Sequence, residues 1–136
     1  MIVRISQRIT VVRSQKPARK NLNEDLQWLA TSLGLFNLRD KERSMFRVFI
    51  ELLKASKKGN ALSSDELAEN LKLSRGTVMH HVNKLMEIGL VVNDRKKYLL
   101  RVSNLSALID ELEMDSRRIF REMREVAGDI DKYLGM

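Results

Sequence analysis

Two adjacent histidines, His80 and His81, are the only imidazoles in a chain of 136 residues that contains no cysteine. Thiolate nucleophiles, disulfides and sulfur-ligated zinc or iron are therefore excluded. Neighbouring positions on a helix diverge by roughly 100°, so these two rings cannot grip one metal as an i, i+4 pair would. The six glycines form no phosphate-cradling loop. The carboxylates fall mainly at salt-bridge spacing, and no Ser–His–Asp or metal constellation can be assembled from them. The expectation is a protein that is not an enzyme and carries no metal or cofactor.

The chemistry that remains is electrostatic. The net charge is +7, and it is unevenly spread. Residues 1–20 hold six basic side chains and no acid, residues 21–102 hold 14 basic and 10 acidic, and residues 103–136 hold 5 basic and 8 acidic. A basic front and middle suit a polyanionic partner, whereas the acidic tail needs a different role. The same boundaries mark the expected organisation into an N-terminal arm, a body and a C-terminal helix. No apolar run approaches the roughly 20 residues of a membrane helix, so a cytoplasmic protein without membrane contact is expected.

Within the body, Leu62 to Gly89 carries the most specific pattern. Ser63 and Glu66 have capping-box spacing, with Leu62 and Leu67 placed as a hydrophobic staple, and they predict a short helix ending near Asn70. Ser74 caps a second helix, with Leu73 and Val78 as its staple. Val78, Val82, Leu85 and Met86 form the buried stripe, and Gly89 stops it. Two β-rich runs follow, 90–92 and 98–102, around a turn at 93–97. A helix-turn-helix followed at once by a basic hairpin is a winged helix.

The run LSSDELAENLKLSRGTVMHHVNKLMEIGLVV resembles the DNA-binding core of ArsR/MarR-type winged-helix transcription regulators, in its Ser-Arg-Gly-Thr-Val start and Gly-Leu-Val end. The likeness is strongest over 62–102, and the whole chain is similar to the small archaeal members of that group. The resemblance implies a DNA-binding regulator whose second motif helix reads the major groove. Metal-sensing members often use cysteine ligands, so thiolate sensing drops out here, and any small-molecule effector stays unidentified.

Helical spacing reaches the same face independently. Arg75, Gly76, Met79, His80 and Asn83 stand opposite the buried stripe, near the helix start that meets base edges. Arg75 could pair with guanine O6 and N7, and Gly76 permits close backbone approach. Ser74, Thr77 and the N-terminal amides would hold phosphate, and Lys84 is better placed for the DNA backbone than for bases. Arg95, Lys96 and Lys97 at the wing tip could enter the minor groove or grip its phosphates. The plainer alternatives are that Ser74 and Thr77 only cap a helix, and that the Lys-rich turn is an ordinary solvated hairpin.

The flanking elements must position that face. Asn21 with Glu24 predicts a helix whose stripe is Leu22, Leu26, Leu29 and Leu33, ended by Gly34, with Trp28 as packing. A second helix runs from after Asp40 to about Lys58, with Met45, Phe46, Phe49, Ile50, Leu52 and Leu53 inside and Lys41, Arg43 and Arg47 solvated. Residues 2–13 alternate apolar and polar with a period of two, which favours a strand over an amphipathic transit helix. That arm is expected to be an edge strand with a solvated linker, a phosphate-touching arm, or both.

The tail predicts one long helix from Ser103 or Asn104 to Leu134. Leu105, Leu108, Leu112, Ile119, Met123, Val126, Ile130 and Tyr133 recur at three- and four-residue steps, with a four-residue stutter across Ser116. A helix of this length outruns a small body, so a homodimer seam is favoured over folding back onto the chain's own first helix and arm. The fold class is thus mainly α with a small β-hairpin: a winged helix-turn-helix with a basic N-terminal β-like arm and a C-terminal dimerisation helix. The function expected is a sequence-specific transcription regulator binding double-stranded DNA as a homodimer on a near-palindromic operator. The alternatives are a winged-helix protein-interaction or assembly module, and a non-specific chromatin-associated binder.

Overall fold

The structure is a computed structural model that describes residues 3–18, 21–36, 40 and 42–136. Arg19, Lys20 and Lys41, which the charge pattern singled out, lie outside the described residues. The element order is α1 (Leu22–Ser32), α2 (Ser44–Lys57), β1 (Leu62–Ser63), α3 (Ser64–Leu71), α4 (Arg75–Ile88), β2 (Val91–Asp94), β3 (Lys97–Leu100) and α5 (Leu105–Leu134). The strands form an antiparallel sheet in the order β1-β3-β2. The architecture is a winged helix-turn-helix with a long C-terminal helix, mainly α with a small sheet.

Local chemistry sets the boundaries. The Asn21 side chain accepts hydrogen bonds from the Asn23 and Glu24 amides. Ser63 and Glu66 complete a reciprocal capping box, and the Ser74 hydroxyl accepts from the Thr77 amide. Gly89 closes α4 in the left-handed region at φ 98°, where a side chain would be strained. Helix α2 starts differently. Arg43, at its N-cap, makes no side-chain capping bond, its Nη1 donating instead to Gln27 at 3.2 Å. Asp40 supplies it instead, accepting from the Ser44 and Met45 amides at 2.9 and 3.0 Å.

The apolar faces of α2, α3 and α4 meet over the sheet. Val48, Phe49, Leu52, Leu67, Val78, Val82, Leu85 and Leu90 are buried there, joined by Tyr98 and Leu100 from the wing. Several expectations change. Leu22 is exposed, and Ala30 takes its place on the buried stripe of α1. Arg47 is not a solvated residue: its Nη2 donates to the Leu71 carbonyl at 2.6 Å and caps the end of α3. Arg43 lies over the Phe36 ring, 4.8 Å from its centre. The staple residue Leu62 also begins a strand, pairing with Tyr98.

The arm is not a strand in residues 3–18. It is an extended segment bonded to helix ends rather than to the sheet. The Arg8 amide donates to Glu87 and the Val12 amide to Ser32, while Trp28 Nε1 donates to the Ser14 carbonyl. A Cβ on Gly89 would lie 2.5 Å from Gln7 Nε2, and one on Gly34 2.8 Å from Thr10 Cγ2. The arm therefore seats on the two glycines that end α1 and α4. Period-two alternation missed this because the arm's partners are helix ends and helix side chains in α1, α4 and α5, 14 to 108 residues away, rather than a neighbouring strand.

Helix α5 has two environments. Leu108 and Leu112 are buried in the core of their own chain and Leu105 packs against it, so the three do not stand free for a dimer seam. Burying one such leucine contributes about 2 kcal/mol. Beyond Ile119, Phe120, Met123, Val126, Ile130 and Tyr133 are exposed. The division falls at Asp115, which is buried. Arg101 forks onto it, Nη1 to Oδ2 and Nη2 to Oδ1, and Gln7 Nε2 adds a third bond at 2.9 Å. The Arg101 hydrogen bonds hold this carboxyl below its ordinary value, with help from Gln7, against a burial effect that raises it.

Replacing Arg101 by Leu would leave that buried carboxylate without its cation. Urea unfolding at neutral pH is expected to show a loss of about 2 kcal/mol. Because the folded carboxyl is depressed, its stabilising contribution is present above the ordinary 3.8 and is lost as pH falls. The deficit of Arg101→Leu should therefore shrink in acid. A deficit independent of pH would assign the loss to packing alone.

Candidate nucleic-acid interface

The start of α4 presents a compact polar face. Arg75, Gly76, His80 and Asn83 are exposed, and the helix holds no acid before Glu87. Gly76 leaves the first turn open, with no atom within 4 Å of where its Cβ would be. Ser74 and Thr77 share a hydroxyl–hydroxyl hydrogen bond of 2.7 Å beside the free helix N-terminus, a site whose amides and dipole favour an anion. Arg75 Nε lies 3.6 Å from Asp65 across the helix-turn-helix, both being solvent-exposed. Such a pair contributes little to stability and leaves the guanidinium free to exchange partners.

The remaining sequence-marked residues separate. Met79 is half-buried, with the Tyr98 hydroxyl 3.7 Å from its sulfur, so it buttresses the wing more than it faces outward. Lys84 is half-buried on the flank that looks toward α2. The wing turn is shorter than expected. β2 and β3 extend the pairing to Asp94 and Lys97, leaving Arg95 and Lys96 as the two-residue turn at φ 55° and 67°. Asn93 steadies it by accepting from the Lys96 amide at 2.9 Å. Lys97 belongs to the strand, its Nζ 3.8 Å from Glu66.

His81 is the residue whose placement sequence spacing missed. Its ring centre lies 5.4 Å from that of His80 with the planes 59° apart, and the two diverge in environment. His80 is exposed, whereas His81 is 8% exposed and its Nδ1 has no hydrogen-bond partner among the described residues. Together with Asp40, Ser44, Thr77 and Lys84 it lines a cavity of about 410 Å³ between the start of α2 and the recognition helix. Burial pushes the His81 imidazole below its ordinary value. Asp40 pulls it back up, and His80 and Lys84 push it further down. Burial alone would raise the Asp40 carboxyl, but the Met45 and Ser44 amides outweigh it and hold that group low. No group of three potential metal ligands occurs among the described residues, and no helix there is long and apolar enough to cross a membrane.

Fold and face together define a winged helix-turn-helix domain built to present α4. Residues 50–92 match the family model of winged helix-turn-helix DNA-binding domains, from α2 through the first wing strand. Over those residues the chain is similar to DNA-binding domains of this type. The arm and α5 lie outside the matched stretch. No curated protein and no solved structure matches the chain.

Two outcomes are expected from this geometry. His81 has a depressed folded value, so the unfolded state binds the extra proton first, and stability falls as pH drops below about 6.5. Denaturant titrations between pH 8 and 5 should show this decline, and His81→Phe should flatten it. In the wing, both turn residues occupy the left-handed region without being glycine, at a cost of about 1 kcal/mol each. The double change Arg95→Asn with Lys96→Gly fits that turn better. It should raise stability by about 1 kcal/mol while weakening DNA binding, with thermal unfolding and anisotropy titration as the readouts.

Proposed function

We propose that this protein is a sequence-specific transcription regulator that binds a near-palindromic operator as a homodimer. The observation that carries the reading is the acid-free face of α4 (Arg75, Gly76, His80 and Asn83) standing clear of a buried Val78–Val82–Leu85 stripe, with a two-cation wing turn on the same domain. Arg75 reads a guanine, and Gly76 lets the helix backbone approach the groove floor. Ser74, Thr77 and the α4 amides hold one phosphate, and His80 and Asn83 face base edges. Lys84, Arg95, Lys96 and Lys97 supply charge to the DNA backbone flanking the site. The homodimer is supported by the apolar stripe of distal α5, which the chain's own body leaves uncovered.

A selection of random duplexes read by sequencing, followed by titration of the winner at several salt concentrations, tests this reading. A two-fold symmetric motif bound well above random DNA is expected. Arg75→Ala should cost about 1–3 kcal/mol and relax the preference at one base pair per half-site. Lys96→Ala and Lys97→Ala should weaken all sequences alike and lower the salt slope by about one each. Salt-steep binding indifferent to sequence would replace the regulator with a non-specific DNA-coating protein. Absence of binding at moderate salt would replace it with a protein-interaction module.

A further inference from the structure

The first turn of α3 reaches both the start of α4 and the wing, and each of its two acids meets a cation there. Glu66 has its Oε1 3.8 Å from Lys97 Nζ on wing strand β3. Asp65 has its Oδ1 3.6 Å from Arg75 Nε at the start of α4. The two acids differ in what else they do. Glu66 closes the capping box by accepting from the Ser63 amide at 3.2 Å. Asp65 takes no part in that box, and its side chain is 77% exposed. The helix dipole favours an acid in this turn whichever way its carboxylate points. It accounts for the presence of Asp65 and not for its direction, toward Arg75.

We propose that Asp65 is a positioning residue for base recognition. It holds the Arg75 guanidinium by its Nε edge, so that the Nη1–Nη2 fork is turned to the O6 and N7 of a guanine and away from the DNA backbone. This deepens the regulator reading above and rests on it.

The chemistry of the guanidinium is the first argument. Its five N–H donors lie in one plane. A guanine edge takes two of them, and a contact through Nη1 and Nη2 leaves Nε, at the side of the plane, for a carboxylate. Asp65 meets Arg75 at that remaining donor and does not compete with a base. The root of the side chain is fixed as well, because Arg75 opens α4 directly after the Ser74 cap. A long side chain restrained at root and tip loses less freedom when it meets its target.

Charge is the second argument. A carboxylate beside the guanidinium cancels part of its attraction to phosphates, which carry no sequence, and does not repel the neutral guanine edge. In the free protein the pair is exposed on both sides and weak. Beneath a base pair water leaves, and the same contact strengthens.

Anisotropy titrations of the whole protein at one salt concentration test this. The probes are the duplex obtained by selection, the same duplex with one G·C pair at a time changed to A·T, and a random duplex of equal length. Arg75→Ala identifies the pair that Arg75 reads. Asp65→Ala is expected to lower the preference for guanine at that same pair by at least about threefold and to leave the other pairs alone. Circular dichroism should stay unchanged, since the Ser63–Glu66 box remains. In the Arg75→Ala background, Asp65→Ala should alter no base preference. An Asp65→Ala protein that binds every duplex more tightly by one factor, or binds all of them as before, would keep the regulator reading and overturn the positioning role. If Arg75→Ala itself changes no base preference, the base contact assigned to Arg75 above falls, and the role of Asp65 falls with it.

Discussion

A single buried carboxylate ties the molecule together. Asp115 stands on α5 where an apolar side chain would continue the Leu108–Leu112 series, and three bonds converge on it from Arg101 and Gln7. Arg101 follows directly on wing strand β3, and Gln7 comes from the arm. The Gln7 amide also donates to the Ile88 carbonyl at the end of the recognition helix. Wing, arm, recognition helix and C-terminal helix are thus referred to one point. A buried ion pair is a poor source of net stability, but its directional bonds select one arrangement over others that would bury similar apolar area. Arg101 also reaches Glu111, 3.0 Å away and one turn earlier on α5, so the fork is held from two turns of the same helix.

The consequences run along α5. Before Asp115, Leu108 and Leu112 are core, whereas Phe120, Met123, Val126, Ile130 and Tyr133 on the same face beyond it are surface. The stripe itself does not turn: at about 100° per residue Leu112 and Ile130 stand on the same face of α5, and what changes is that the body ends. The glycines at 34 and 89 do a related job at the other side. Each ends a helix in the left-handed region and, lacking a side chain, lets the arm lie within van der Waals reach of the chain end. Glycine at these positions answers two constraints at once, which explains why so glycine-poor a sequence spends two of its six there.

What could be read from sequence was local. Ser63–Glu66, Ser74 and Gly89 fix their helix ends through bonds spanning three or four residues, so spacing alone finds them. The helix-turn-helix and wing followed from those signals plus stripe periodicity. Misreadings came where partners are distant. The alternation of residues 2–13 carries no information about α4 and α5, to which the arm binds. Leu108 and Leu112 share one periodic series with Ile130 and Tyr133, and only the position of the body separates buried from exposed. His81 differs from His80 by one step around the helix, enough to turn one ring inward over Ser44 and Asp40 and leave the other in solvent. A signal for Asp115 did exist: an acid in an apolar register requires a cation, and Arg101 lies just before the helix that carries it.

The distance from the last wing residue to α5 is short, with only residues 101–104 between Leu100 and Leu105. Arg101 within that link is itself the anchor, and Asn104 caps the helix by accepting from the Ala107 amide at 2.8 Å. No flexible tether therefore separates the face of α4 from the axis of α5. A regulator with a loose linker can adapt to half-sites at varied spacing, because linker entropy changes only slowly with length. In the homodimer proposed above, the separation and relative rotation of the two α4 helices would be dictated by how the copies pair, and by the Asp115 node that aligns each α5 with its own wing. Selectivity for operator spacing would then arise far from any base contact. On that proposal, a change that loosens the node would relax spacing before it altered any base preference of the α4 face, since the bonds at Asp115 orient the domain as a body.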